Sequence, residues 1–271
     1  MNITKLTSAE LKSLEDKFAY QIAELESLKL DLDMTRGKPC KEQLELASSL
    51  DGILEGNYLT EDGLDTRNYG VIDGIPEAQK LFASVLNVPN ENILVGGNSS
   101  LTLMYQYMSH AYHFGVNGPE SAWKNKFSTP SFICPSPGYD RHFAICEFLG
   151  IKMHAVEMDE NGPNMDQVEE LIKKDQSICG IWCVPKYSNP TGITYSNDVV
   201  QRISKLYNIS HPQFRIFWDN AYVLHSFAEN DNLSNIFETC SKNGTEDSFV
   251  EFASTSKITF AGAGVSFMSA S

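Results

Sequence analysis

FRIFWDNAY, residues 214–222, is a mostly apolar run that stops on a carboxylate. Phe, Ile and Trp with no polar alternation read as a strand buried on both faces, the kind found in parallel sheets covered by helices. The segments around it should then alternate in kind, and they do. From Pro76 onward the sequence predicts helix 76–87, strand ILVGG, helix 100–113, strand SFICP, helix 140–149, strand IKMHAVEM, helix 164–174, strand CGIWCVP and helix 196–207; strand FRIFWD follows, then strand FVEFAS. The predicted class is α/β, a mostly parallel sheet sandwiched by helices. Toward the N-terminus, Thr7 and Glu10 can form a capping box for a helix whose apolar positions Leu11, Leu14, Phe18, Ile22, Leu25 and Leu28 recur at three and four residues. The chain then turns at Gly37 and Pro39, and the Gly-, Asn- and Asp-rich residues 51–75 suit a surface connection.

A chain of 271 residues with 42% hydrophobic residues can bury a sizeable core. Its 35 acidic against 21 basic residues leave a net charge of −14, which repels phosphate backbones and anionic lipid, so neither nucleic acid nor membrane is expected as a partner. No apolar run approaches the ~20 residues of a spanning helix, and charges occupy the N-terminal stretch where a secretory signal would be apolar. A cytoplasmic location is expected. Cys40, Cys134, Cys146, Cys179, Cys183 and Cys240 are scattered without a CxxC pair, which suggests buried thiols and no zinc site. His110 and His113 share a predicted helix but lack companions for a ligand set, and no metal is expected.

Ligands in open α/β sheets sit beyond the carboxyl ends of the strands. ILVGG runs into Asn98, Ser99 and Ser100 ahead of a helix, which offers backbone N–H groups, hydroxyls and a positive dipole end: a phosphate cradle, or an ordinary N-cap serine. No GxGxxG or GxxxxGK[ST] pattern is present. PSPGYDRHF places Tyr139 after a Pro-Gly turn, where its face can lie on a planar ligand. VPKYSNPTG holds Asn189 in a rigid turn, able to donate to a ligand oxygen. After FRIFW come Asp219 and Tyr222, and a carboxylate so near a core calls for a cationic partner. In FVEFASTSKITFAGAGVSF, residues 249–267, Lys257 interrupts a run of apolar and small residues. Its stem can lie on apolar neighbours with the ammonium in water, or its amine can be held dry, with a lowered pKa suited to condensing with a carbonyl.

Taken together, these strand ends supply a phosphate cradle, an aromatic face, an amide and a phenol for a hydroxyl, a carboxylate for a cationic ring nitrogen and an amine for an aldehyde. Pyridoxal phosphate presents each of those groups. At TRGKP, NYGVIDG, GGNSSL, PSPGYDRHF, YSNPTG, WDNAY and STSK, in this order and spacing, the chain resembles fold type I pyridoxal-phosphate-dependent aminotransferases of class I/II, in an aspartate aminotransferase-like branch. The resemblance implies that Lys257 links covalently to the cofactor aldehyde and then carries the substrate Cα proton. It implies that Asp219 pairs with the ring nitrogen, that Asn189 and Tyr222 bond the ring hydroxyl and that Tyr139 stacks on the ring. Ser99, Ser100, Ser254 and Ser256 become the phosphate candidates, and Tyr69 resembles a tyrosine that reaches the phosphate of a neighbouring subunit, which implies a homodimer. Arg36 and Gly37 of TRGKP, with Asn189, are the candidate substrate contacts; a surface role for Arg36 stays open.

Two departures qualify the resemblance. The family commonly places a phosphate-clamping arginine after the lysine, where this chain offers only Gly262, Ala263, Gly264 and Ser266, so backbone amides are expected to substitute. The family also continues beyond the equivalent of Ser271. Residues 1–50 are therefore expected to be an N-terminal helix and arm, part of a small domain, and residues 51–271 a truncated cofactor-binding large domain without its C-terminal small domain. Such a fragment is expected to aggregate and to be inactive alone. The activity implied is transfer of an amino group from an amino acid, aspartate for preference, to a 2-oxo acid such as 2-oxoglutarate. A lyase on the same cofactor and a non-catalytic cofactor-binding regulator are the alternatives.

Overall fold

The computed structural model describes residues 5–31, 38–227 and 231–271. These form two compact units, Met1–Cys40 and Lys41–Ser271. In the first, helix α1 (Ser8–Ser27) starts at the expected capping box: the Thr7 amide donates to Glu10 Oε2 at 2.7 Å and the Glu10 amide donates to Thr7 Oγ1 at 3.4 Å. Arg36 and Gly37, the candidate substrate contacts, lie outside the described residues.

The second unit is built on one eight-stranded sheet. Its strands are β1 (Ile93–Val95), β2 (Ser131–Ser136), β3 (Lys152–Asp159), β4 (Gly162–Pro163), β5 (Ile178–Cys183), β6 (Arg215–Asp219), β7 (Phe249–Ser254) and β8 (Ser266–Ser269). The spatial order is β1-β8-β7-β6-β5-β2-β3-β4. The strands from β7 through β6, β5 and β2 to β3 are parallel, while β8 runs antiparallel to both β7 and β1, and β4 antiparallel to β3. The sheet is thus mostly parallel, as the sequence predicts, with antiparallel margins.

Helices α2 (Lys41–Glu45), α3 (Pro76–Leu86), α4 (Ser100–His113), α5 (Trp123–Lys126), α6 (Asp140–Phe148), α7 (Met165–Lys174), α8 (Asn197–Ser204) and α9 (Ile236–Asn243) complete the unit. Asn164, Ser196 and Asn235 each accept a backbone N–H at the start of α7, α8 and α9. Asn87 ends α3 with φ of 54°, a left-handed residue that stops the helix. The sheet carries apolar residues on both faces. One face packs Ile181, Ile216, Trp218 and Phe249 against α7, α8 and α9; the other packs Phe132, Trp182, Phe217 and Phe252 against α4 and α6. Gly180 permits this: a Cβ there would stand 2.4 Å from the Arg215 carbonyl and 2.5 Å from the Phe132 ring.

The structure adds β4, β8, α2, α5 and α9 to the sequence reading, and it divides the predicted helix 196–207 into α8 and a 3₁₀ turn, Leu206–Ile209. Five of the six cysteines are buried, but Cys40 is exposed, a correction to the expectation for all of them.

Candidate active site

The carboxyl ends of β5, β6 and β7 and the N-terminus of α4 converge on a cleft of about 320 Å³, at the small end of the ~300–1,000 Å³ typical of small-ligand pockets. Ser99, Ser100, Tyr139, Asn189, Asp219, Tyr222, Ser254, Ser256 and Lys257 all line it. Tyr69 does not; it is 97% exposed and away from the cleft. Asn98, named with the serines at the end of ILVGG, lines it too, whereas the sequence reading left out Leu101, Val184, Ala221 and Ala261.

Asp219 is the last residue of β6, so its side chain leaves a fully buried strand at the floor of the cleft. Its Oδ2 lies 3.0 Å from His142 Nε2, with the two side chains only 9% and 1% exposed. A carboxylate can only accept, so the proton belongs on His142 Nε2. The His142 ring stacks on Trp182 at 4.3 Å and 8°, and Trp182 Nε1 donates to Cys146 Sγ at 3.3 Å. The partner that a buried carboxylate demands is therefore a histidine wedged into the core. Asp219 Oδ1 is buried and has no hydrogen-bond partner. Sequence reasoning missed His142, although its position three residues after Tyr139, at the first turn of α6, puts both side chains on one side of that helix.

Ser99 is the N-cap of α4, but its side chain makes no capping bond, which leaves the hydroxyl and the first amides of the helix uncommitted at the cleft. Facing it, Ser254 ends β7 and accepts from the Ser256 amide at 3.4 Å while donating to Ser256 Oγ at 3.1 Å. That bond opens a single 3₁₀ turn, Thr255–Lys257, which carries Lys257 out of the sheet. Lys257 is exposed at the rim of the cleft, so of the two readings of its segment the side chain reaching solvent is the one seen. The reason is that β7 has already ended at Ser254.

Gly262, Gly264 and Ser266 do not line the cleft. Gly264 instead closes on Thr255, whose Oγ1 a Cβ would approach to 2.7 Å, and Ser266 is buried in β8 with its hydroxyl on the Gly97 carbonyl at 2.8 Å. From that segment only Ala261 reaches the wall, while the Asn98 side chain donates to the Gly262 carbonyl at 3.3 Å. The expected replacement of a clamping arginine by those glycine amides is not the arrangement seen.

Burial, reinforced by the Asp219 carboxylate, holds the Tyr222 and Tyr139 hydroxyls above their usual range, so both are donors at neutral pH. Tyr139 sets its edge against His142 at 5.0 Å, and Tyr222 its edge against His225 at 5.5 Å. His225 Nε2 in turn lies 3.1 Å from the Lys257 carbonyl and tethers the lysine turn. Among the described residues no group of three or more His, Cys, Asp or Glu is placed to hold a metal ion, and no helix is long and apolar enough to cross a membrane.

The cleft fits pyridoxal phosphate. The orphaned Asp219 oxygen suits a protonated ring nitrogen, the α4 N-terminus with its unspent hydroxyls suits a phosphate, and the Lys257 amine suits an aldehyde.

Comparison with known proteins agrees. An aspartate aminotransferase from Corynebacterium glutamicum is 46% identical over 90% of this chain and 56% of its own length. The solved structure of an aspartate transaminase from the same organism superposes with a TM-score of 0.88 at 42% identity, covering 98% of this chain and 62% of that one. The α-aminoadipate aminotransferase of Thermus thermophilus, at 19% identity and a TM-score of 0.66 over 85% of this chain and 52% of that one, shares the fold. The chain thus spans less than two thirds of the length of these relatives. The family model for aspartate amino-transferase matches residues 6–271, and the chain belongs to that family.

Proposed function

We propose that this chain is the cofactor-binding part of a pyridoxal-phosphate-dependent aminotransferase that moves an amino group from an amino acid, aspartate for preference, to a 2-oxo acid such as 2-oxoglutarate. The observation that carries the reading is Asp219: a buried carboxylate, held by His142 on one oxygen and unpartnered on the other, in the wall of a cleft shared with Lys257. The bound cofactor supplies an electron sink for the pair of electrons left when the substrate Cα loses its proton. Asp219 keeps a proton on the ring nitrogen, and His142 keeps Asp219 in place. Asn189 and Tyr222 donate to the ring hydroxyl oxygen, and Tyr139 covers the ring. Ser99, Ser100, Ser254 and Ser256 take the phosphate at the positive end of α4. Lys257 would hold the aldehyde through Nζ, and the same Nζ, when free, would be the group that accepts and delivers the substrate Cα proton.

The preference for aspartate rests on the Corynebacterium glutamicum relative. Tyr69, exposed and remote from the cleft of its own chain, is assigned to the phosphate of a second copy in a cytoplasmic homodimer. Residues 1–50 are assigned to a smaller domain and 51–271 to the large one, with Arg36 and Gly37 contacting the substrate carboxylate. The test is borohydride reduction of the cofactor-loaded protein followed by peptide mapping. The label is expected on Lys257; a label on any other lysine would overturn the reading.

A further inference from the structure

A second cavity, of about 310 Å³, lies on the α9 side of the sheet, apart from the cofactor cleft. Its wall includes Lys186, Trp218, Asn220, Ser234, Asn235 and Glu251. Glu251 pairs in register with Trp218 across β6 and β7, in the middle of the sheet, and is only 2% exposed. Its Oε1 accepts from Asn220 Nδ2 at 2.8 Å, while its Oε2 and the Asn220 Oδ1 are both buried without a partner. Both residues line the cavity, and each keeps one buried acceptor with its lone pairs unused. Other polar groups of the wall are committed: the Asn235 side chain accepts from the Glu238 amide and donates to the Leu86 carbonyl, Ser234 Oγ donates to Asn197, and Asp231 Oδ2 accepts from the Tyr187 hydroxyl and the Phe227 amide. Elsewhere on the same wall stands Lys186, 8% exposed, whose ammonium rests over the Tyr187 ring at 5.6 Å. No ion pair joins it to Glu251 or to any other carboxylate among the described residues.

A buried carboxylate costs free energy unless it finds an opposite charge, and Lys186 lines the same cavity with its ammonium in no ion pair with it. A ligand bearing a primary ammonium satisfies Glu251 Oε2 and Asn220 Oδ1 together, since one –NH₃⁺ carries enough donors for both. A carboxylate on the same ligand would satisfy Lys186. We infer that this cavity binds a small zwitterion, an α-amino acid, through its ammonium on Glu251 and Asn220 and its carboxylate on Lys186. The site is distinct from the cofactor cleft, and the inference does not depend on what that cleft does. It places an amino-acid site beside β6, with Asn220 next in the chain to Asp219.

The test is calorimetric titration of the cofactor-free protein at pH 8 with two probes, glycine and methylammonium, which share the ammonium but not the carboxylate. Glycine is expected to bind at least tenfold more tightly than methylammonium. Glu251→Gln should weaken both by tenfold or more, and Lys186→Met should bring glycine down to the level of methylammonium. Asp219→Asn, in the other cleft, should change neither. If Glu251→Gln fails to fold, Asn220→Leu removes the second acceptor and should likewise weaken both probes. The inference is overturned if neither probe binds, if removal of the acceptors leaves binding unchanged, if Lys186→Met leaves the preference for glycine intact, or if Asp219→Asn abolishes binding.

Discussion

Replacing His142 with phenylalanine tests the core of the site. The ring stays on Trp182, so the stacked contact at 4.3 Å, of a kind worth ~0.5–1.5 kcal/mol, is kept while the donor to Asp219 is lost. Asp219 has no other side-chain hydrogen bond among the described residues, and its side chain is 9% exposed. His142→Phe therefore leaves a buried carboxylate with both oxygens unpartnered, and removing one member of a buried pair costs ~3–5 kcal/mol. Against a total stability of ~5–15 kcal/mol that loss is large. Urea unfolding of the cofactor-free protein at pH 8 should show it as a midpoint lowered by more than ~1 M for an m-value of ~2 kcal/mol/M. The double variant His142→Phe with Asp219→Leu removes the stranded charge as well and should recover ~1–2 kcal/mol, so the two changes are coupled. A cost below ~1 kcal/mol for His142→Phe, or costs that simply add, would refute the reasoning, because the pair would then be solvated. With cofactor present the same variant should bind pyridoxal phosphate more weakly, read from its visible absorbance.

Glu251 gives a pH signature. Burial raises its pKa from 4.5 to about 7, so the native state holds a proton that the unfolded chain has already released between those values. Its stability contribution is full below pH 4.5 and is lost as pH climbs through 7, by about 3 kcal/mol in all. Glu251→Gln should flatten that part of a pH–stability profile measured without amino acids; an unchanged slope would mean that Glu251 is paired. Lys257→Ala should abolish borohydride-stable attachment while leaving weaker, dialysable cofactor binding through the phosphate and ring contacts. Asp219→Ala should cost several kcal/mol of transition-state stabilisation in kcat/KM of the whole enzyme, and near-normal turnover would show that another group holds the ring nitrogen. Gly180→Ala should destabilise strongly in thermal melting, since its Cβ meets the Arg215 carbonyl, which is backbone and cannot yield cheaply.

The parallel core was legible because β2, β5, β6 and β7 are short apolar runs closed by turn residues, and because β6 and β7 end on Asp219 and Ser254, which line the cleft. The margins were not. β8 is four residues long and follows a glycine-rich turn, so nothing in VSFMS separates a strand from a loop until its partners β1 and β7 are known. α9 carries a narrow stripe, Ile236, Phe237 and Cys240, in a polar setting, too little for periodicity to show. In the site, Asp219, Lys257 and the serines could be read because chemistry marks them at strand ends. His142 lacked such a mark, since its partner is distant in sequence. Whether Lys257 is dry or exposed was not legible, because composition does not reveal where β7 stops. Glu251 and Lys186 were passed over in runs that otherwise read as core and turn.

The strand order also constrains how the chain can be made. β1 has one strand neighbour, β8, and the two are fastened by bonds from the Gly96 amide to the Ser266 carbonyl and from the Ser266 amide to the Gly97 carbonyl. Phe267 then stacks on Phe82 at 3.9 Å and completes the small cluster with Ala83, Leu86 and Ile93. On the ribosome β1 and α3 emerge early, and β8 follows only after on the order of ten seconds or more of further synthesis. Throughout that interval the apolar side of α3 and the β8-facing edge of β1 await a partner still being translated. A nascent chain stalled between β7 and β8 is thus the species that holdase chaperones should capture, and the residues they protect should be Phe82, Leu86 and Ile93.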